Sequence, residues 1–344
     1  METPEGAEGA SGPELHAFLA EHGFPDAQLT RISGGRSNLT YLVDTATKRA
    51  VLRRPPLGHV LATAHDMGRE ARILWALAPT SVPVPQCLAY CDDRSVIGAP
   101  FTLMSFVDGR ILREPQDITA LSNDECTAIT TSLIEVLATL HTLDPLELGL
   151  EDFGRPVGYL QRQVTRWSQQ LDASRTRPVP DLDATTKLLL AHVTEVVNAR
   201  HSVVHGDYRL DNTVIDPHGI VCGVLDWEMS TLGDPLTDLA LLCCYSGEVA
   251  ARVVPAAAAI AAQPRLLDQN GILTAYAART GAALEQFAFY EAFAHYKLAI
   301  IAEGIHTRYT MGLTVGDGFA QVGDAVPELA AAARKLAVAA QRQH

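Results

Sequence analysis

Lysine is nearly missing from this chain: Lys48, Lys187, Lys297 and Lys335 are the only four in 344 residues, and arginine carries most of the positive charge. Forty acidic residues against 27 basic ones give a formal charge of −13, and the basic residues form no stripe along the sequence. A nucleic-acid partner is therefore not expected, because nothing is available to neutralise a phosphate backbone. There is no apolar run long enough to span a bilayer and no charged-then-apolar leader, so a soluble cytoplasmic protein with no membrane partner is expected. Cys87, Cys91, Cys126, Cys222, Cys243 and Cys244 include no Cys-x-x-Cys pair and lie in or beside apolar segments. They read as small buried hydrophobes, not as a metal or disulfide framework.

What is present fits a large folded protein. A hydrophobic content of 47% over this length can bury a substantial core, and length alone suggests about two domains. Residues 1–13 are mostly Gly, Glu, Ala, Ser and Pro and read as a flexible tail. A short helix is expected over 14–22, turn signals then alternate with β-type runs over 29–55, and a further strand is expected over 100–107. Helices are expected over 62–77, 122–140, 156–174, 183–199, 235–246, 268–280, 284–308 and 325–341. The helix from 122 opens with Ser122-Asn123-Asp124-Glu125, a capping box. A β-rich first third (14–107) joined to a mostly helical remainder (108–344) predicts a two-lobed α+β fold, with a small antiparallel sheet, a large helical lobe and a cleft at the junction.

One stretch carries chemistry. His205-Gly206-Asp207-Tyr208-Arg209-Leu210-Asp211-Asn212 places an Asp five residues before an Asn, and Leu225-Asp226-Trp227-Glu228 follows. Thr213-Val214-Ile215 and Val221-Cys222-Gly223-Val224-Leu225 read as a hairpin around the turn Asp216-Pro217-His218-Gly219. This is the spacing of a kinase catalytic loop, in which an acceptor-orienting carboxylate precedes two oxygen ligands for Mg²⁺. Asp207 takes the first role, and Asn212 and Asp226 are the metal ligands. His205, grouped with Asp207 as catalytic, orients the loop by hydrogen bonding. A single Asx residue at a strand end is usually a cap; four groups at matching offsets are not so explained.

The first third should hold the nucleotide. Gly34, Gly35, Ser37 and Asn38 lie between β-type runs, where small residues let backbone N–H groups approach phosphates, although a plain β-turn explains two glycines equally well. Ala50-Val51-Leu52-Arg53 follows, and strand alternation puts Val51 and Arg53 on one face, Val51 towards adenine and Arg53 towards phosphate. A kinase has Lys at that position; Arg keeps the charge with a different fork. Arg54 reads as a surface residue on an edge strand. Glu70 is the expected ion-pair partner of Arg53. Met104, Ser105 and Val107 belong to the strand and hinge that would border the adenine, with Met104 or Phe106 as an apolar wall.

From about Ile32 to Gly312 the chain resembles the aminoglycoside phosphotransferase-like family of small-molecule kinases, on the match of His205, Asp207, Asn212 and Asp226. Val51-Leu52-Arg53-Arg54-Pro55-Pro56, Gly158-Tyr159-Leu160-Gln161-Arg162-Gln163-Val164 with Trp167, and the His205 to Asn212 loop resemble the kinase-like domain fused to some acyl-CoA dehydrogenases. The resemblance implies ATP- and Mg²⁺-dependent transfer of a phosphoryl group to a hydroxyl of a small molecule, with GTP as an alternative donor. It implies a hydroxyacyl-CoA or related metabolite as acceptor. The alternatives are an aminoglycoside, or a non-catalytic nucleotide-binding module of the same fold. The basic stretch Arg334 to His344 weighs against a polycationic antibiotic. His295, Lys297, His306 and Arg308 could meet an anionic acceptor, although charges on a solvated helix face are the commoner explanation of each. Asp234 and Asp238 read as supports at a helix start, Asp238 bonding backbone near His205. Glu228 and Asp211 read as loop carboxylates that could also reach metal or acceptor.

Overall fold

Alternating β-type residues and turn signals in the first third build a five-stranded antiparallel sheet, and the helical periodicity beyond it builds a helical body. The computed structural model describes residues 8–32, 38–57, 66–196, 200–254, 256–263, 265–312 and 321–342. In chain order the elements are α1 (Pro13–Glu21), β1 (Gln28–Arg31), β2 (Leu39–Asp44), β3 (Arg49–Arg54), α2 (Met67–Leu77), β4 (Cys87–Cys91), α3 (Arg94–Ile97), β5 (Phe101–Ser105), α4 (Pro115–Thr119), α5 (Asn123–Thr142), α6 (Tyr159–Ser174) and α7 (Pro180–His192). There follow β6 (Ser202–Val204), β7 (Thr213–Ile215), β8 (Val221–Val224), β9 (Thr231–Gly233), α8 (Leu236–Tyr245), α9 (Ala257–Ala261), α10 (Gln269–Thr280), α11 (Phe287–Thr310) and α12 (Val322–Gln341). None of the described helices is long and apolar enough to cross a membrane.

The chain divides into two compact units, Met1–Gly109 with Cys222–Ser230, and Arg110–Val221 with Thr231–His344. In the first, the sheet runs β1-β2-β3-β5-β4 and is antiparallel throughout. One face carries Tyr41, Val43, Ala50, Leu52, Phe101 and Leu103, packed with Leu15 and Leu19 of α1 into a buried cluster. Val51 and Arg53 therefore share the other face, as the alternation predicted, with Val51 opposite Met104 and Arg53 opposite Thr102.

Two expectations need correction. Strand β3 is central, not an edge, and Arg54 is only 5% exposed. Its guanidinium donates to the carbonyls of Gly9, Ile97 (3.0 Å) and Pro55 (3.1 Å), which a strongly charged group requires when it leaves water. Residues 8–12 do not behave as a loose tail. Ala10 is 1% exposed, and the Glu8 and Gly9 carbonyls accept from Tyr41 and Arg54.

The segment Cys222–Ser230 belongs with the first unit for identifiable reasons. Val224 N–H donates to the Pro83 carbonyl at 2.8 Å, and Arg69 donates to the Ser230 carbonyl at 3.2 Å. The fully buried Trp227 closes on its own chain through Nε1 to the Val224 carbonyl, 2.9 Å.

In the second unit α5 begins as its capping box predicted. The Glu125 N–H donates to Ser122 Oγ at 3.2 Å, and the Ser122 N–H to Glu125 Oε2 at 3.0 Å. Helix α6 starts at Tyr159, not at 156, because Gly158 takes a left-handed φ of 68°. Helix α7 starts at Pro180, not at 183, since proline suits the first helical turn. Strands β6 and β9 pair antiparallel, with Ser202 opposite Gly233. A Cβ on Gly233 would lie 2.7 to 2.9 Å from the Tyr159 ring, which is buried. Gly233→Ala is therefore expected to cost about 1–3 kcal/mol as overpacking, read as a lower urea midpoint at unchanged slope.

Candidate active site

The loop after β6 is held from below by charge. Asp238, near the start of α8, accepts the His205 N–H at 2.6 Å through Oδ2 and the Gly206 N–H at 2.8 Å through Oδ1. His141 of α5 lies 3.3 Å from the same carboxylate and bonds Tyr276 Oη at 2.8 Å on its other nitrogen. Burial alone would raise the Asp238 proton affinity. The hydrogen bond and charge of His141, with His205 and the Gly206 N–H, more than reverse it, so the group sits below the ordinary carboxylate value. Asp234 plays the parallel structural part, accepting the Leu236 N–H at 3.1 Å and the Tyr290 hydroxyl at 2.7 Å.

On that platform the loop fixes its own side chains. His205 is fully buried, and its Nδ1 accepts the Asp207 N–H at 3.2 Å. Asn212 donates through Nδ2 to the Asp207 carbonyl and to Asp207 Oδ2, both at 3.0 Å. These bonds use the donor half of the amide and leave its oxygen as the acceptor half. Arg209 adds Nε to Asp207 Oδ2 at 3.1 Å and Nη1 to Asp211 Oδ2 at 3.0 Å, with its guanidinium 5.3 Å from the Tyr245 ring centroid. Burial opposes the charge on Arg209, and Asp207 and Asp211 outweigh it, raising its proton affinity. Asp211 is thus a half-buried ion-pair partner in place of a solvated loop carboxylate, its own pKa pushed up by burial against the pull of Arg209.

The groups from the first unit form a second constellation. Arg53 spans two carboxylates, Nη1 contacting Glu70 of α2 and Nη2 lying 2.8 Å from Asp226 Oδ1. The fork of arginine makes this possible, where a lysine ammonium would bring one nitrogen. Burial works against the Arg53 charge, and Glu70 and Asp226 reverse it. Burial raises the pKa of Glu70, with Arg53 pulling the other way. Asp226 has a left-handed φ of 66°, unusual outside glycine and a mark of functional sites. Two residues on, Glu228 accepts from Asn38 Nδ2 at 2.8 Å, which ties the end of the glycine-rich stretch to the Asp226 turn.

Gly34, Gly35 and Ser37 lie outside the described residues. Met104 sits beside Val51 on the Arg53 face. Ser105 is tied into the sheet, its N–H donating to the Gln86 carbonyl at 2.8 Å and its Oγ accepting the Gln86 N–H at 2.9 Å. Val107 packs on Gly223, where a Cβ would meet it at 3.0 Å. Phe106 carries the Arg49 guanidinium 4.1 Å from its ring centroid. His141, Arg209 and Tyr245 were not singled out by sequence reasoning. Arg209 had the one available signal, since a cation two residues after a loop carboxylate is close enough to bond it. Five cysteines are buried as expected, and Cys222, the exception, is half-exposed with Sγ 3.4 Å from the Asp108 carbonyl.

Residues 28–291 match the APH phosphotransferase enzyme family. The chain belongs to that family. It is 37% identical over 309 residues to acyl-CoA dehydrogenase family member 11 of Rattus norvegicus and 35% identical over 308 residues to family member 10 of Mus musculus. Each alignment covers 87% of this chain, but only 39% of the rat protein and 28% of the mouse one. Among solved structures, a candidate aminoglycoside phosphotransferase from Ralstonia eutropha is 32% identical with a TM-score of 0.80, covering 95% of this chain and 98% of that one. The ternary complex of APH(4)-Ia with AMP-PNP and hygromycin B superposes at a TM-score of 0.62 and 16% identity, covering 96% and 99%. That likeness shows the fold, which is the protein-kinase-like fold of this family, with its small antiparallel sheet and many helices.

Proposed function

We propose that this chain is an ATP- and Mg²⁺-dependent O-phosphotransferase acting on a hydroxyl of a small cytoplasmic molecule. The reading rests on one observation above others. Asp207 is held by Arg209 and Asn212 through a single carboxylate oxygen, Oδ2, so the other oxygen would be left to meet an acceptor. Asp207 would take the hydroxyl hydrogen bond and orient the nucleophile, while His205 and Asp238 keep the loop backbone in place. On the nucleotide side, Val51 and Met104 would flank the adenine, and backbone near Ser105 to Val107, chiefly Phe106–Val107, would meet its edge. Asn38 would lie along the phosphates, with Arg53, held by Glu70, as their cation.

The donor set fits Mg²⁺. The Asn212 amide oxygen and the Asp226 carboxylate are hard oxygen donors. Among the described residues no three His, Cys, Asp or Glu side chains gather as a cage, which suits an ion that shares its ligands with phosphate and water. When bound, Mg²⁺ would neutralise charge on the nucleotide phosphates.

The dehydrogenase-family names of two relatives, of which this chain spans 39% and 28%, support a hydroxyacyl-CoA or related metabolite as acceptor. The aminoglycoside alternative is supported by the 32% identical Ralstonia eutropha structure, itself described as a candidate aminoglycoside phosphotransferase, and by fold likeness to APH(4)-Ia.

Mg·ATP is expected to raise the melting temperature, since a ligand at a hundredfold excess over its Kd stabilises by about 2.7 kcal/mol. Absence of both a shift and calorimetric heat with millimolar Mg·ATP and Mg·GTP would remove the nucleotide-binding reading. ADP release with kanamycin, a 4-hydroxyacyl-CoA and the free hydroxy acid, compared at fixed Mg·ATP, ranks the acceptors. A nucleotide-induced shift with no ADP release from a broad panel of hydroxylated acceptors would favour the non-catalytic module.

A further inference from the structure

Lys297 does not face solvent to meet an anionic substrate. It is 6% exposed in α11, and among the described residues it has no carboxylate at ion-pair distance. Its ammonium donates at 2.7 Å to the carbonyl of Gly206 and lies 5.4 Å from the centroid of the Trp167 ring. The peptide groups around Gly206 are thus gripped from two sides, the carbonyl by a cation and the Gly206 N–H by Asp238. Gly206 itself has a φ of 83°, a conformation available to few other residues and easily lost without such contacts.

We propose that Lys297, seated on Trp167, is a positioning residue whose charge locks the Gly206 peptide and so holds Asp207 in place. The proposal gives Trp167 a task that no contact with substrate would require. A buried ammonium needs compensation, and an aromatic face supplies part of it. The charged groups acting on Lys297 are Asp207 and Asp238, which favour its protonated form, and Arg166 and Arg209, which oppose it. Burial is the largest influence and lowers its pKa below that of an exposed lysine. For catalysis the inference rests on Asp207 as the acceptor-orienting carboxylate; for loop order it does not.

The test needs no substrate. With only four lysines, ¹³C labelling at the ε-carbon gives four signals. One is expected to be shifted upfield by the indole ring, to titrate at lower pH than the other three, and to vanish in Lys297→Arg. Trp167→Leu should abolish the ring shift and lower that pKa further. Lys297→Met should speed hydrogen exchange of the peptide spanning 203–212 by about tenfold or more, the loss expected for a hydrogen bond to a charged group. Lys297→Arg should recover part of the protection. If Lys297→Met does not fold, Trp167→Leu carries the test. Four lysines titrating alike, or unchanged loop exchange in a folded Lys297→Met or Trp167→Leu protein, would overturn the proposal. Mg·ATP binding measured on the same samples keeps that outcome separate from failure of the phosphotransferase reading.

Discussion

Asp207→Asn is expected to lower turnover about a hundred- to ten-thousandfold while leaving nucleotide affinity nearly unchanged. The amide keeps the size of the carboxylate and can still accept at one atom, so the loop should fold. What it loses is a negative oxygen facing the acceptor hydroxyl. Its neighbours sharpen the expectation: Arg209 Nε and Asn212 Nδ2 both donate to Oδ2, so an amide placed there must offer them its oxygen and turn its NH₂ towards the acceptor. A group that donates where the reaction needs an acceptor is worse than an absent one. Asp226→Asn should behave differently, weakening Mg²⁺-dependent nucleotide binding as well as turnover, because it removes charge from the proposed metal ligand. Steady-state rates together with calorimetry at several Mg²⁺ concentrations separate the two. Equal and mild effects from both would reverse the roles assigned to them.

The roles proposed for His205 to Asp226 rest on short sequence offsets, which phosphoryl transfer would fix and which survive in a linear string. The shared face of Val51 and Arg53 followed from strand periodicity, and the start of α5 from a four-residue capping pattern. The supports were not readable. His141 meets Asp238 across 97 residues and Lys297 meets Gly206 across 91. Each contact depends on how helices pack, and a histidine or lysine on a helix has no local pattern that distinguishes a buried clamp from a solvated side chain. Arg54 shows the same limit in the sheet. Adjacent arginines look alike in sequence, yet the pleat sends one to carboxylates and the other to backbone carbonyls beneath the sheet.

Arg53→Met should destabilise the protein by about 3–5 kcal/mol, the cost of leaving a buried carboxylate without its partner. Glu70 is 1% exposed, and Arg53, beside a Trp227 backbone hydrogen bond, is the charge that compensates it. The double substitution Arg53→Met with Glu70→Met should recover much of the loss, because two apolar side chains of similar volume replace two charges that would otherwise be desolvated. The pH dependence has a definite sign. Burial raises the Glu70 pKa, and removing Arg53 removes the charge that opposes that rise. In Arg53→Met, the stability contributed by protonated Glu70 should be fully present below the ordinary glutamate pKa and disappear as pH rises through the elevated folded value. The single variant should thus come closest to the unsubstituted protein in mild acid and fall furthest behind near neutrality, while the double variant shows no such trend. Melting temperatures across that range decide it: a single variant equally destabilised at every pH would mean that Glu70 does not depend on Arg53 for its charge.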